Sequence, residues 1–441
     1  MSTRSLGILM LAALLAGATT SAQSGPKPAA PPSETGGKPP KAAAKATISL
    51  DQLVQLALAN NPSIVAAAKA VEAREASIQP QGTLDDPVFS FQTMGDLVPP
   101  ELQRGDPSSG RTFTIEQDIP FPGKLGFKEK IAAKEAEAAS WDYEQTRRQI
   151  IADLKKAYYD YFLIHKSIGI VSEDKNLLGN FEQIAQAKYR VGQGSQQDVF
   201  KAQVEISKLI DRLTVLDQRR QVSTALINSL IYREPGAPLE EPAELVKAPL
   251  RYSLEELQQL ALAHSPGINR QQREIERNEV AVKLARLGRY PDFAVGFSYV
   301  DRGDLPEMYG LTFKAKLPLY FGRKQGPELV SAQSELAGAL KTRDNITSTL
   351  HYQVREAYSA ATASDQLIQL YQQALLPQSG HSLEAAIASY QVGAADFLTL
   401  IDSLTTLLEY QIKYYEAFAD YHKALAQLEP YVGVDLTGAR P

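Results

Sequence analysis

The sequence predicts a mixed α+β membrane protein, a duplicated unit whose two copies supply four β-strands per chain together with very long helices. Three observations lead there. The chain is written twice, each copy holds a pair of extended segments of membrane-spanning length, and each copy then continues as a helix of exceptional length.

Residues 1–22 read as a secretory signal peptide. Arg4 precedes an apolar run from Leu6 to Ala16, and small residues lead to Ala22, an A-x-A-like cleavage pattern. That run is too short to cross about 30 Å of hydrocarbon as a helix, which argues against an anchor. Residues 23–46, rich in Pro, Ala, Gly and Lys, cannot bury enough apolar surface to fold and form a flexible leader. No later apolar run is long enough for a transmembrane helix. A membrane crossing therefore needs a closed β-barrel, since lipid offers no other way to satisfy backbone polar groups. The chain has no cysteine, so it has neither disulfide nor thiolate metal site, and its net charge of −5 provides no basic face for nucleic acid.

The duplication sets residues 47–245 beside residues 246–432, followed by a C-terminal tail, 433–441. Ser49-Leu-Asp-Gln-Leu-Val-Gln-Leu-Ala-Leu-Ala-Asn-Asn-Pro62 is echoed by Ser253-Leu-Glu-Glu-Leu-Gln-Gln-Leu-Ala-Leu-Ala-His-Ser-Pro266. Thr114 to Lys124 pairs with Thr312 to Lys324, Ala157-Tyr158 with Ala357-Tyr358, and Ala187 to Gly192 with Ala388 to Gly393. Four blocks in one order, about 200 residues apart, mark a tandem repeat. Ser49 with Gln52 and Ser253 with Glu256 read as capping boxes, so each copy opens on a helix.

A second helix follows in each copy, ending near Gln79 and near Leu287. The strands come next: Val88 to Thr93 and Arg111 to Ile119, then Phe293 to Val300 and Tyr309 to Leu317. Phe293, Val295, Phe297 and Tyr299 alternate with small residues at a period of two. Polar loops, Gly95 to Gly110 and Asp301 to Glu307, join them. Long helical segments run from Lys124 to Arg190 and from Lys324 to Leu376, and return from Gln197 to Tyr232 and from Phe397 to Leu428. Pro377 is expected to interrupt the second copy before Ser379 to Tyr390. The first segment, if continuous, is on the order of 100 Å long. Four strands cannot close a barrel, the smallest of which has about eight, so several chains must share one.

The duplicated Leu-Ala-Leu-Ala-x-x-Pro openings, the two Tyr-x-Val-Gly turns and Gln117-Asp-Ile-Pro-Phe-Pro-Gly-Lys-Leu125 together resemble the outer-membrane efflux protein (TolC-like) family, in the branch paired with resistance-nodulation-division pumps. The resemblance implies a homotrimer whose twelve strands form one outer-membrane barrel, continued into the periplasm by an α-helical barrel. It implies a passive channel subunit of a tripartite efflux system, not an enzyme. Its partners would be outer-membrane lipid, a periplasmic adaptor protein and an inner-membrane pump, and its cargo drugs or metal ions. A soluble periplasmic helical scaffold or adaptor is the alternative, and it leaves two spanning hairpins unexplained.

Tyr189-Arg-Val-Gly-Gln-Gly-Ser195 and Tyr390-Gln-Val-Gly-Ala-Ala-Asp396 would be the helix-to-helix turns at the far tip. Gly192 and Gly393 suit a positive φ, and Ser195 and Asp396 are good N-caps. With Arg190, Val191 and Val392 these residues would form the adaptor-docking turns that the resemblance implies. It also implies that a tyrosine before the second turn bonds an aspartate after the first, and Tyr390 and Asp198 occupy those positions. The companion arginine falls at Ala395 and its threonine partner at Gln197, so that second link is missing. Of two lumen-facing aspartates only Asp402 matches, the other position being Thr399. Three Asp402 carboxylates around a threefold axis would favour cations.

No metal or cofactor is expected: His165, His264, His351, His381 and His422 are scattered singly, and no phosphate loop or nucleophile elbow occurs. Tyrosines clustered at 158–161 and 410–421 read as interhelix packing, and Phe121, Tyr320 and Phe321 as candidates for an interfacial aromatic girdle. Expressed protein should fractionate with the outer membrane and run unboiled as a trimer-sized band that collapses on boiling. A soluble periplasmic monomer would remove the barrel.

Overall fold

The computed structural model describes residues 47–97, 100–102 and 106–437. The signal (1–22), the leader (23–46) and residues 438–441 of the tail lie outside them. β1 (Thr47–Ile48) leads into α1 (Leu50–Asn60), α2 (Pro62–Ala76) and the short α3 (Ile78–Gly82). Next come β2 (Val88–Met94), the small pair β3 (Asp96–Leu97) and β4 (Pro100–Glu101), and β5 (Gly110–Ile119). α4 (Lys124–Arg190) and α5 (Gln196–Leu230) complete the first copy, and β6 (Glu241–Pro242) lies in the link to the second. That copy repeats the plan with α6 (Leu254–His264), α7 (Pro266–Leu287), β7 (Asp292–Arg302), β8 (Leu305–Lys316), α8 (Gln325–Leu370), α9 (Leu376–Gln391) and α10 (Phe397–Val432).

Both openings start from complete capping boxes, Ser49 with Gln52 and Ser253 with Glu256; Asn61, whose side chain accepts from Ser63 N, and Ser265, which makes no such bond, then precede helices whose first residue is a proline. α4 is one continuous helix of 67 residues, or about 100 Å. Two expectations need correction. Asp301 to Glu307 is not a loop: β7 and β8 pair as far as Arg302 and Leu305, so only Gly303-Asp304 turn. Gly303, with φ of 64°, supplies the left-handed residue that a two-residue hairpin requires. Pro377 does not break the helix either. A π-helical turn, Tyr371–Leu375, precedes it, and the wider turn accommodates the proline ring and its missing N–H at the start of α9.

β2, β5, β7 and β8 form one antiparallel sheet in that order, with β2 and β8 at its two ends. Register separates its two faces. Phe89, Ile115, Phe297 and Leu311 lie directly across from one another, as do Phe91, Phe113, Tyr299 and Tyr309. The intervening rows, Ser90, Thr114, Ser298 and Gly310, then Val88, Glu116, Gly296 and Thr312, point to the other face and are mostly polar or small. Lys314 reaches Glu116 there at 2.6 Å. The apolar face covers nothing: Phe89 is 66% exposed and Leu311 81%. The aromatic row is continuous, with ring centroids 5.1 Å apart for Phe91–Phe113, 6.2 Å for Phe113–Tyr299 and 5.5 Å for Tyr299–Tyr309. This is the arrangement of an interfacial girdle. Of the residues expected in one, Tyr320 and Phe321 are exposed just beyond β8, whereas Phe121 stacks on Tyr290 at 4.5 Å.

Below the sheet, an ion-pair ladder joins the two copies: Lys134–Glu276 at 3.0 Å, Arg273–Glu137 at 3.2 Å, Arg277–Glu135 at 3.2 Å and Arg270–Asp142 at 2.8 Å. Farther along, the tyrosine clusters pack as expected and also hold the link between copies. Tyr158 Oη donates to the Ile48 carbonyl at 2.9 Å and accepts from Ala243 N, while Tyr421 Oη donates to the Ala248 carbonyl at 2.7 Å. The matched residues Leu53 with Ala57, and Leu257 with Ala261, are fully buried in two adjoining cores. Buried Lys155 ties Glu429 (2.7 Å), Asp435 (3.1 Å) and Thr437 (2.7 Å) together, pinning the segment after α10. Lys155→Ala should destabilise the protein by about 3–5 kcal/mol, because it removes the counter-charge of the largely enclosed Glu429 carboxylate. The shift of the denaturation midpoint measures it.

Candidate functional site

The two tip turns are the same motif built twice. At the end of α4, Gly192 N donates to the Tyr189 carbonyl at 3.0 Å and Gln193 N to the Lys188 carbonyl at 2.8 Å. At the end of α9, Gly393 N donates to the Tyr390 carbonyl at 3.2 Å and Ala394 N to the Ser389 carbonyl at 2.8 Å. Both are Schellman closures, and each needs a left-handed residue where the glycine stands. Gly192 and Gly393 have φ of 73° and 79°. Ser195 then accepts from Gln197 N at 3.1 Å, and Asp396 from Thr399 N at 2.8 Å, capping α5 and α10. The Thr399 hydroxyl and amide both bond the Asp396 carboxylate and hold its pKa below the usual value.

Arg190, Val191, Gly192, Val392 and Gly393 are all exposed, Val191 by 68% and Val392 by 81%. Space around both glycines is open. Asp402 is exposed on α10 one turn beyond the capped start. Tyr390 is buried against Phe397, with ring centroids 5.5 Å apart. The expected bond from Tyr390 to Asp198 is not formed within the chain, and Tyr390 Oη has no hydrogen-bond partner among the described residues. Asp198 acts on it through its charge alone. Burial first, then the Asp198 carboxylate, pushes the Tyr390 phenol above its usual pKa.

The helices behind the turns meet along a heptad seam. On α4, Val171, Asp174, Leu178, Phe181, Ala185 and Lys188 alternate at intervals of three and four residues. On α5, Ala202, Leu209, Leu216 and Ser223 recur every seven. With Leu383 and Ala386 of α9 and Phe397, Ile401, Leu404 and Leu408 of α10 they form one apolar cluster. Two polar residues occupy seam positions on α4. Lys188 donates to the Tyr390 carbonyl at 2.5 Å, and its Nζ stands 4.1 Å from the centre of the Tyr390 ring. Asp174 is buried, and its Oδ2 finds no hydrogen-bond partner among the described residues. The sequence reading passed over both, although counting the heptad onward from Val171 reaches each of them.

Long helices beneath a sheet with one apolar and one polar surface match the anatomy of an outer-membrane channel with a periplasmic extension. The chain belongs to the outer membrane efflux protein family, whose profile matches it twice, over residues 53–231 and 257–434. Over 399 residues it is 24% identical to the cobalt-zinc-cadmium resistance protein CzcC of Cupriavidus metallidurans, an alignment covering 88% of this chain and 90% of CzcC. Its fold is similar to that of the outer membrane protein VceC of Vibrio cholerae, with a TM-score of 0.73 at 16% identity over 88% of this chain and 96% of that one. It is similar also to the open state of the MtrE outer membrane channel of Neisseria gonorrhoeae, with a TM-score of 0.72 at 15% identity over 88% and 89% of the two chains. The protein is an outer-membrane efflux channel component, a passive conduit and not an enzyme.

Burial, reinforced by the neighbouring Glu173 charge, raises the Asp174 pKa to about 6. A carboxyl raised above its unfolded value stabilises the fold when protonated, and this contribution fades as pH climbs through about 6. Asp174→Asn should therefore raise the denaturation midpoint at neutral pH and lose that advantage below about pH 4, near the unfolded carboxylate pKa. Melting curves across that range measure both.

Proposed function

We propose that three copies of the chain close a single twelve-stranded barrel in the outer membrane, and that their helices continue it as an α-helical barrel through the periplasm. The carrying observation is the open sheet, apolar on one face and polar on the other, whose ends β2 and β8 lack a further partner strand among the described residues. Backbone groups at such ends cannot face hydrocarbon, and pairing β2 of one copy with β8 of the next satisfies them. The helices offer a matching edge. α5 leaves Phe200, Val204, Val215, Val222 and Leu226 exposed along one helical face, as a helix does when a neighbouring copy is to cover it.

In this assembly the exposed turns around Arg190, Val191, Gly192 and Ser195, and around Val392, Gly393 and Asp396, dock a periplasmic adaptor, and an inner-membrane pump drives transport. Asp198, Tyr390 and Asp402 surround the constriction where the tips converge. The cargo is drugs or metal ions. The likeness to a cobalt-zinc-cadmium resistance protein and the exposed Asp402 carboxylate both support cations.

Gly192→Trp or Gly393→Trp should leave heat-modifiable trimers intact while abolishing efflux, read as cellular resistance to the exported compound. Undiminished resistance counts against docking at these turns. Asp402→Asn should lower the cation-to-anion permeability ratio in planar bilayers, and an unchanged reversal potential would remove the carboxylate ring.

A further inference from the structure

We propose that Lys188 is the latch that joins the two tip turns of one chain and holds the duct closed at rest. The inference rests on the trimeric channel reading. It names a residue outside the gate set of Asp198, Tyr390 and Asp402, and it changes how Tyr390 takes part.

Lys188 belongs to the first copy and Tyr390 to the second, 202 residues apart, and the contact links the tip of the α4–α5 hairpin to that of α9–α10. One ammonium makes two contacts that both select for positive charge. It donates at 2.5 Å to a carbonyl in the last turn of α9, the negative end of that helix, and it lies 4.1 Å from the centre of the same residue's ring. That carbonyl also accepts from Gly393 N, so the lysine grips the backbone of the turn itself. The ring is fixed in turn by the edge of Phe397, 5.5 Å away at the start of α10. The Tyr390 hydroxyl has no part in the link, being buried without a hydrogen-bond partner among the described residues.

The latch is weak enough to open. A lysine at a seam position interrupts apolar packing that Val171, Leu178, Phe181 and Ala185 maintain farther from the tip. At the last seam position before the turn, the side chain that meets the opposite hairpin is therefore a polar one set against Tyr390. Splaying α9 and α10 away from α4 and α5 breaks both of its contacts together. A partner that docks on the exposed turns needs only to compete with this ammonium, which restores its own hydration as it leaves. Closed and open tips are then two populations, and Lys188 biases the first.

The test uses the full mature trimer in planar lipid bilayers, with unboiled gels to confirm assembly of each variant. Lys188→Met should raise the resting open-to-closed ratio about tenfold, equivalent to about 1.4 kcal/mol. Lys188→Arg, which keeps the charge and a donor, should stay near the wild-type level. Tyr390→Phe should raise the ratio less than Lys188→Met does, because it preserves the ring and the carbonyl. If Lys188→Met does not assemble, Lys188→Gln takes its place, with an expected rise between those of Arg and Met. Resting conductance of the lysine-free variant at the wild-type level overturns the latch, as does an effect of Tyr390→Phe that equals or exceeds it. A wild-type protein that forms neither trimers nor pores overturns the channel assembly and the latch with it.

Discussion

A backbone amide inside a lipid bilayer has no water to bond, and this requirement governs the rest of the molecule. Four strands satisfy it along three interfaces and leave it unmet at the two ends of the sheet. In the proposed assembly sister copies meet that need, and the duplication follows the same logic, since each repeat supplies one hairpin and the two hairpins join through β5 and β7. The alternating rows of β2, β5, β7 and β8 would then turn the apolar Phe89–Leu311 face to lipid and the Ser90–Gly310 face to water, with no apolar helix of spanning length among the described residues.

Away from the membrane the stabilising chemistry changes along the helices. Near the sheet, ion pairs between α4 and α7 bind one repeat to the other. In the middle, buried tyrosines anchor the link between repeats, and Lys155 anchors the C-terminal segment. Toward the tip an apolar heptad seam takes over, interrupted at Asp174 and Lys188. The contacts between the two hairpins thus change in kind along their length, and at the end of α4 the last seam position is polar.

Much of this was legible because it rests on local chemistry. The far end of α4 follows from Gly192, the helix starts from Ser49, Ser253, Ser195 and Asp396, and the strands from a period of two that no helix shares. The errors arose where tertiary context decides. Asp301 to Glu307 is polar enough to be a loop, yet pairing with β8 draws nearly all of it into a hairpin. Pro377 breaks an isolated helix, but a π turn accommodates it within a packed one. At the tip, the resemblance implies a hydroxyl bond from Tyr390 to Asp198, whereas among the described residues of the chain the Tyr390 carbonyl and ring face are engaged by a lysine whose importance depends on where the opposing hairpin lies. Docking at Arg190, Val191 and Val392 is compatible with their exposure, a property that a single chain cannot turn into a partner.

The sheet also imposes a hazard during biogenesis. Before assembly, a chain crossing the periplasm shows a broad band of exposed Phe, Tyr and Leu beside two strand edges ready to pair with any extended segment. Such a surface is adhesive in water, and in the proposed assembly it becomes inert once buried in lipid and in sister chains. On that reading the interval between export and insertion is the vulnerable stage in the life of this protein. Escort by a holding chaperone, or rapid encounter among newly exported copies, would then govern how much functional channel a cell accumulates, largely independently of how well the finished channel conducts.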